Sequence, residues 1–198
     1  MNQQMVTSSE LAAWIAGAQA GDAECFDRLI DAYADRLYGY FIRLTGSESE
    51  SEDLLQEFFI KLVRGIRDYR HRDRFDAFVF CVAANLFRDW IRRRQRSKEV
   101  TGIEGDESEP ADESRWADVL EGREDAPSGP LEQKERCDVL RTALARLPLA
   151  EREVIVMRHF SELSFDEVAR IMGTPLGTAL ARSHRGLAKL REWIEGPE

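Results

Sequence analysis

The apolar positions in the first half of the chain recur every three or four residues. A helix with one buried face has this period, so the pattern predicts amphipathic helices rather than strands. Asp22 is a suitable N-cap for the longest run, and Gly46 is a suitable end for it. Ser49 or Ser51 is expected to cap the next run. The predicted helical runs cover residues 10–45, with a break at Gly21-Asp22, residues 51–66 and residues 75–96.

The second half of the chain, from residue 133, repeats the helical period with a break at Pro148. No stretch alternates apolar and polar residues convincingly, as a strand with one buried face would. We therefore expect an all-α chain with two small helical domains, an N-terminal helical bundle and a C-terminal helix-turn-helix domain. The predicted divisions are residues 1–98, an acidic flexible linker at residues 99–132, and residues 133–198.

Residues 163–191 are typical of two short helices joined by a tight turn. Ser164 and Glu167 have the spacing of a capping box, Gly173 suits a left-handed helix end, and Thr174 can cap the second helix. A helix after such a turn can enter a DNA major groove when one face carries donors. A helical hairpin with a solvated polar face is the alternative. The face in question carries Thr178, Arg182, Arg185 and Lys189.

The charge distribution matters for this interpretation, because the net charge of −9 is concentrated in one segment. Residues 99–132 carry 12 acidic and 2 basic side chains. By contrast, residues 1–98 carry 15 of each kind, and residues 133–198 carry 10 acidic and 11 basic. The acidic segment is poor in apolar residues and can bury little surface, so we expect a flexible linker. The flanking domains can then carry local basic surfaces.

Two polar faces of the N-terminal helices are candidate interaction surfaces. Asp53, Gln56 and Glu57 lie together on the second predicted run, where a merely solvated acidic face is the alternative. In the third run, six basic residues and one acidic residue occur from Arg88 to Lys98. The helix dipole favours cations near a helix C-terminus. Six cations exceed what a cap requires, so we favour an electropositive patch that binds phosphate.

No arrangement of residues points to catalysis or to a bound cofactor or metal. The three cysteines and three histidines are scattered, so an enzyme such as a nuclease is the least favoured function. No run of 18 or more apolar residues occurs, which predicts that the protein does not insert into a membrane. The first ten residues lack the basic-then-apolar pattern of a signal peptide. We therefore expect a cytoplasmic protein.

Four stretches of the chain stand out: GDAECFDRLIDAYADRLYGYFIRLTG from Gly21, SEDLLQEFFIKLVRGI from Ser51, FDAFVFCVAANLFRDWIRRR from Phe75, and LPLAEREVIVMRHFSELSFDEVARIMGTPLGTALARSHRGLAKLR from Leu147. Together they resemble the extracytoplasmic-function (ECF) sigma factors, a group within the sigma-70 family of bacterial RNA polymerase subunits. The resemblance covers both predicted domains, with the four blocks in the family's order. Phe78 stands where the family usually has Trp, Leu180 where it often has Lys, and Ser183 where it usually has an apolar residue.

The resemblance implies a sigma factor that binds core RNA polymerase, directs initiation at promoter DNA and performs no chemistry itself. An alternative sigma factor, responsive to stress or another signal, fits this group, and an anti-sigma factor is a further implied partner. The implied polymerase-binding residues are Asp53, Leu54, Gln56 and Glu57. The implied −10 residues are Tyr69, Arg70, His71, Arg72, Asn85, Arg88, Asp89, Arg92 and Arg93, and the implied −35 residues are Thr178, Arg182, Arg185 and Lys189.

A free-standing helix-turn-helix regulator is the alternative function. Such a protein would form a dimer, bind palindromic sites and need no polymerase. The acidic linker also has two interpretations, a simple spacer or a mimic of RNA within the polymerase. Its length suits either one, because residues 99–132 can extend to roughly 110 Å. The two promoter elements lie about 25 base pairs apart, which is ~85 Å along the duplex.

Overall fold

The structure, a computed structural model, describes residues 7–70, 74–100 and 131–195. These residues form eight α-helices, a short 3₁₀ helix at Ile66–Asp68 and a π-helical segment at Val156–Phe160. No strand occurs within the described ranges, and the predicted all-α class is confirmed. The helices are α1 Ser8–Ala20, α2 Ala23–Thr45, α3 Glu48–Gly65, α4 Phe75–Val100, α5 Leu131–Arg146, α6 Leu149–Ile155, α7 Phe165–Met172 and α8 Leu176–Glu195.

The start and end of α2 confirm the sequence prediction. The Asp22 carboxylate accepts hydrogen bonds from the backbone N–H groups of Glu24 and Cys25, so it satisfies two donors that have no partner within the helix. Gly46 ends the helix with a φ of 70°, a left-handed conformation that glycine adopts without steric cost. Both signals depend on local backbone geometry alone, which is why the sequence reveals them.

The predicted cap of α3 is wrong. Ser47, not Ser49 or Ser51, is the N-cap, and its hydroxyl accepts from the Glu50 backbone N–H at 3.4 Å. Ser51 lies in the first turn and is buried. Its hydroxyl is 2.8 Å from the Thr45 hydroxyl and donates to the Ser47 carbonyl at 2.6 Å. The buried Ser51 hydroxyl therefore stabilises the turn between α2 and α3. The position of Ser51 in the sequence fits this role and that of an N-cap equally well.

The predicted linker lies almost wholly outside the described residues. α4 continues to Val100 and α5 begins at Leu131, so a few residues at each end of the predicted linker are helical. Residues 101–130 fall between the described ranges. The division of the chain at residues 98 and 133 stays a prediction.

The N-terminal helices α1 to α4 enclose an aromatic-rich core. Leu37, Phe41 and Phe58 are fully buried, and the ring of Tyr40 meets that of Phe80 edge-on at 5.6 Å. These residues come from α2, α3 and α4. Burying an aromatic or large aliphatic side chain stabilises the fold by roughly 1.5–3 kcal/mol. This shared core fixes how the outer faces of α3 and α4 are oriented.

The C-terminal helices α5, α6 and α8 form a second, smaller cluster around Leu144, Ile155 and Leu190. α8 approaches α6 closely at Gly186, where a Cβ atom would lie 2.6 Å from Ile155 Cδ1 and 3.3 Å from Glu151 Cβ. The absence of a side chain at this position lets the two helices meet. The contact sets the position of α8, the second helix of the predicted helix-turn-helix.

The two halves of the chain are packed against each other. One continuous apolar core contains Phe41 and Phe80 of the N-terminal half together with Met157 and Val168 of the C-terminal half. The principal contacts join α2 to the π-helical segment and α4 to α7. No helix in the described part of the chain is both long enough and apolar enough to cross a membrane.

Candidate polymerase and nucleic-acid interfaces

The outward face of α3 carries three of the four predicted polymerase-binding residues. Asp53 and Gln56 are exposed, and Glu57 is half-buried. Leu54 is only 2% exposed and packs in the N-terminal core, so it supports this face from beneath. Two exposed apolar residues, Ile60 and Val63, follow on the same helix. The accessible surface is therefore acidic at the start of α3, whereas towards its end these apolar side chains lie beside the exposed cations Lys61 and Arg64.

Glu57 is engaged by two cations. Its carboxylate accepts a hydrogen bond from Arg93 Nη2 at 3.1 Å, and Lys61 Nζ lies 3.3 Å from its other oxygen. Burial would raise the pKa of Glu57, but the hydrogen bonds from Arg93 and Lys61 outweigh it and lower the pKa below the ordinary value. Glu57 therefore ties the predicted polymerase-binding face to the basic face of α4.

The turn before α4 is held by an aromatic cluster. The Tyr69 ring lies 4.6 Å from that of Phe78 and 5.2 Å from that of Phe75, measured between centroids. Gln19 of α1 donates from Nε2 to the carbonyls of Ile66 and Tyr69, a contact that the sequence did not suggest. Arg70 is exposed. The other two predicted residues of this loop, His71 and Arg72, lie outside the described residues.

α4 carries the predicted basic face, but several of its arginines form ion pairs with carboxylates. Arg92 pairs with Asp89 at 2.7 Å, and the side chains of Arg92 and Arg93 are 61% and 57% exposed. Asn85 is exposed. Arg88 differs from its neighbours, because its side chain is only 28% exposed and turns towards the C-terminal half. Arg92 and Arg93 are therefore much more accessible to solvent than Arg88.

The helix-turn-helix start is confirmed by the geometry of α7. The Ser164 hydroxyl accepts from the Glu167 backbone N–H at 3.3 Å, and the Glu167 carboxylate accepts from the Ser164 backbone N–H at 2.9 Å. Gly173 ends α7 in the left-handed conformation. The predicted cap of α8 is not formed, because the buried Thr174 hydroxyl makes no hydrogen bond within the described ranges. The Pro175 carbonyl accepts from Thr178 and so begins the helix.

Two of the four predicted −35 residues bind a carboxylate of the C-terminal half of the chain. Arg185 Nε donates to Glu151 Oε1 at 3.3 Å, and Lys189 Nζ donates to Glu151 Oε2 at 3.0 Å. Thr178 and Arg182 are half-buried on the same side of α8. The predicted stripe therefore faces α6, and Arg185, whose side chain is 57% exposed, is its most accessible cation.

The solvent-facing side of α8 is largely apolar. Leu176, Leu180 and Leu187 are 41%, 44% and 43% exposed. Ala181 and His184 are also exposed between them. An outward apolar face is unusual on a helix of this kind, because charged or polar side chains normally occupy the exposed side.

Sequence reasoning missed three consecutive charged residues at the start of α6. Glu151, Arg152 and Glu153 are 7%, 3% and 5% exposed. Arg152 donates to the carbonyls of Leu44, Ala145 and Leu147, and burial lowers its pKa to about 10. Burial raises the pKa of Glu153, although the nearby Arg88 acts against this. The only available signal was the position of these charges in an otherwise apolar stretch.

Comparison with known proteins identifies the family. The family model for Sigma-70 region 2 matches residues 29–97, and the one for Sigma-70, region 4 matches residues 137–190. The ECF RNA polymerase sigma factor SigE of Mycolicibacterium smegmatis is 31% identical over 169 residues. The sigma factor CarQ of Myxococcus xanthus is 30% identical over 176 residues, which cover 88% of this chain and 91% of CarQ. The chain belongs to the ECF sigma factors of the sigma-70 family.

The coverage of SigE and one solved structure define how far the likeness extends. The match to SigE covers 85% of this sigma factor but only 61% of the length of SigE. The solved structure of the sigma factor RpoE from Bartonella quintana, in complex with the anti-sigma factor NepR, superposes with a TM-score of 0.68 at 21% identity. That match covers 87% of this chain and 98% of RpoE. At this level of identity, the superposition establishes a shared fold.

Proposed function

We propose that this sigma factor binds core RNA polymerase and directs promoter-specific transcription initiation as an alternative sigma factor in the cytoplasm. The observation that carries the proposal is the combination of three surfaces in one chain of this family. They are an exposed polar face on α3, a basic face on α4 and a helix-turn-helix ending in α8. In this role the chain performs no bond chemistry and supplies only binding energy.

The polymerase would dock on the outward face of α3. Asp53 and Gln56 supply exposed polar groups, and the apolar side chains of Ile60 and Val63 extend the same surface. Charged groups at the rim of such an interface set orientation and association rate, while apolar groups near its centre supply most of the affinity. Glu57 contributes by holding Arg93 at the border between the two surfaces.

The −10 element would bind the loop after α3 and the basic face of α4. Opening a duplex requires a base to leave the stack and be held, with positive charge near the backbone. Arg92 and Arg93 supply exposed charge, and Asn85 supplies a side-chain amide on the same face. The aromatic cluster around Tyr69 fixes the start of this helix.

The −35 element would bind α8 as duplex DNA. Arg185, the most exposed cation of the stripe, would contact a phosphate or a guanine edge, and Arg182 and Thr178 are candidates for base contacts as the helix enters the groove. A bidentate Arg–guanine contact discriminates against a wrong base by roughly 1–3 kcal/mol. An anti-sigma factor is a further proposed partner, because the RpoE structure contains one.

A binding assay with charge-reversed variants tests the docking face. We expect Asp53→Lys to weaken association with purified core polymerase by about tenfold or more, since a cation would replace an exposed anion of the interface. Asp31→Lys makes the same charge change at an exposed position of α2 and serves as the matched control. Equal association of the two variants on a native gel would assign the interface to another face.

Footprinting on promoter DNA separates the proposal from the alternative. The free protein is expected to protect promoter DNA weakly, and addition of core polymerase is expected to give strong protection of both elements. An equally strong footprint without polymerase, especially on a palindromic site, would contradict the proposal and favour a free-standing dimeric regulator.

A further inference from the structure

Within the described residues, Arg185 of α8 is bound through only one of its three guanidinium nitrogens. Its Nε donates to Glu151 Oε1 at 3.3 Å, whereas Nη1 and Nη2 make no hydrogen bond to any described residue. The side chain is 57% exposed. Because a guanidinium is planar and rigid, a bond to Nε restricts the direction of both terminal nitrogens. Arg185 therefore has a restrained pair of donors on an accessible side chain.

The carboxylate that binds Arg185 is held at both of its oxygens. Lys189 Nζ donates to Glu151 Oε2 at 3.0 Å, while Oε1 accepts from Arg185. The Glu151 side chain is only 9% exposed, so neighbouring atoms limit its movement. α6 and α8 come close at Gly186, where an added Cβ would lie 3.3 Å from Glu151 Cβ. Glu151 is therefore a rigid support for the guanidinium.

The unused donor pair of Arg185 suits two kinds of acceptor in duplex DNA. The major-groove edge of guanine carries two neutral acceptors, N7 and O6, and an arginine fork binds both. A backbone phosphate also binds such a fork, but it carries a full negative charge. Glu151 lies against the guanidinium, so its charge repels a phosphate more strongly than a neutral guanine edge. The carboxylate therefore favours the base over the backbone as the partner of Arg185.

We propose that Glu151 is a positioning residue that directs Arg185 to a guanine of the −35 element. The inference deepens the proposed function and rests on it, because it requires α8 to bind the −35 duplex. Ordering the guanidinium before DNA arrives lowers the conformational cost of binding. The same carboxylate weakens sequence-independent attraction to phosphate, so it raises the ratio of specific to non-specific binding. Glu151 acts in this role only through Arg185.

A promoter with a randomised −35 region tests the proposal in the holoenzyme. The template is a fragment that the wild-type holoenzyme transcribes, and the randomised templates that each holoenzyme retains are sequenced. The wild type is expected to enrich guanine about tenfold at one position, as one bidentate contact provides. Arg185→Lys keeps the charge but lacks the fork, so it should lose this enrichment. Glu151→Gln should lower it to about threefold or less at the same position, because a neutral amide holds the guanidinium more weakly.

Glu192→Gln is the matched control for the change in charge. Glu192 is an exposed carboxylate of the same helix, and its loss should leave the guanine enrichment at the wild-type level. Wild-type enrichment by a folded Glu151→Gln holoenzyme would overturn the proposal. An equal loss of enrichment in Glu192→Gln would also overturn it, since net charge alone would then explain the result.

Binding of the free chain to non-specific DNA separates positioning from support of the fold. The probe is a fluorescein-labelled, mixed-sequence duplex, and fluorescence anisotropy gives the dissociation constant at several salt concentrations. Glu151→Gln is expected to bind about threefold tighter than the wild type, with a salt slope steeper by about one, because one more cation is free for phosphate. Weaker binding by Glu151→Gln would assign Glu151 to support of α8 alone and would contradict the proposal.

A measurement on the wild type keeps the test decisive if Glu151→Gln does not fold. In nitrogen-15 NMR spectra of the free chain, the Arg185 Nε–H signal is assigned by its loss in Arg185→Lys. This proton should exchange with water about tenfold more slowly than that of Arg64, an exposed arginine of α3. Equal exchange rates would show that Glu151 does not hold Arg185, and the proposal would fail.

Transcription distinguishes failure of this inference from failure of the proposed function. A wild-type holoenzyme that initiates transcription without any guanine enrichment dependent on Arg185 retains the function and removes the inference. A chain that supports no initiation with core polymerase contradicts the proposed function itself, whatever the exchange rate of the Arg185 Nε–H.

Discussion

Replacing Glu151 tests how the predicted DNA-reading helix is anchored. The Glu151 side chain is 9% exposed and accepts hydrogen bonds from Arg185 and Lys189, whose side chains are 57% and 38% exposed. We expect Glu151→Ala to lower the free energy of unfolding and to loosen α8 from α6. Both partners lie one turn apart on α8, so one carboxylate fixes the rotation of the helix about its axis.

The expected loss follows from the unequal burial of the partners. Hydrogen bonds to charged groups contribute about 1.5–3 kcal/mol when buried, and exposed ion pairs about 0–1 kcal/mol. Here each pair joins a buried anion to a partly exposed cation, so we assign each contact an intermediate contribution to stability of ~0.5–1 kcal/mol. The released cations of Arg185 and Lys189 can hydrate, so no unpaired buried charge adds to the loss. The total of about 1–2 kcal/mol corresponds to a Tm lowered by roughly 2–8 °C in a chain of this size.

Thermal unfolding followed by circular dichroism measures this change, with Glu192→Ala as the control. Glu192 is an exposed carboxylate of the same helix, and its loss should change stability by less than about 0.5 kcal/mol. A double-mutant cycle with Arg185→Ala and Lys189→Ala isolates the contacts. The reasoning is refuted if Glu151→Ala unfolds at the wild-type temperature. It is also refuted if Glu151→Ala lowers the free energy of unfolding by the same amount in a protein that already carries Arg185→Ala and Lys189→Ala.

Two further predictions concern local structure in the C-terminal half. Ser164→Ala should cost about 1 kcal/mol by removing the α7 cap, measured by urea denaturation. Burial would raise the pKa of Glu167, but its hydrogen bonds with Ser164 lower it below 4.5. The capped fold therefore loses stability as the pH falls through that lowered pKa, and Ser164→Ala should return the pKa towards 4.5 in an NMR titration. An unchanged titration would contradict this. Gly186→Ala should be less stable than Gly177→Ala by about 1–3 kcal/mol in thermal unfolding, because only the methyl group added at position 186 would contact Ile155. Equal stability of the two variants would contradict the close approach of α8 to α6.

Much of the helical framework could be predicted because helix ends depend on short-range chemistry. Asp22, Gly46, Gly173 and the pair Ser164 and Glu167 act within one turn of their own backbone. The predicted caps were wrong where a contact with a residue outside the helix decides the orientation of the side chain. Ser51 has the spacing of a cap, but its hydroxyl turns inward to that of Thr45.

The candidate surfaces were less predictable, since a periodic pattern assigns charged residues to solvent. Glu153 breaks that rule because its partner, Arg88, lies 65 residues earlier in the chain, and only the folded structure brings the two together. The stripe through Arg185 and Lys189 was correctly placed on one side of α8. Its partner Glu151 could not be foreseen, because nothing in the sequence indicates how α8 is rotated against α6.

Run-off transcription tests the central claim most directly. Purified core polymerase would be supplied with a pool of genomic promoter fragments, with and without this protein, and the transcripts sequenced. The account predicts a small set of transcripts that appear only when the protein is present, with a common −35 and −10 pattern upstream of their start sites. Transcripts identical in number and position with and without the protein, given an active core polymerase, would contradict it.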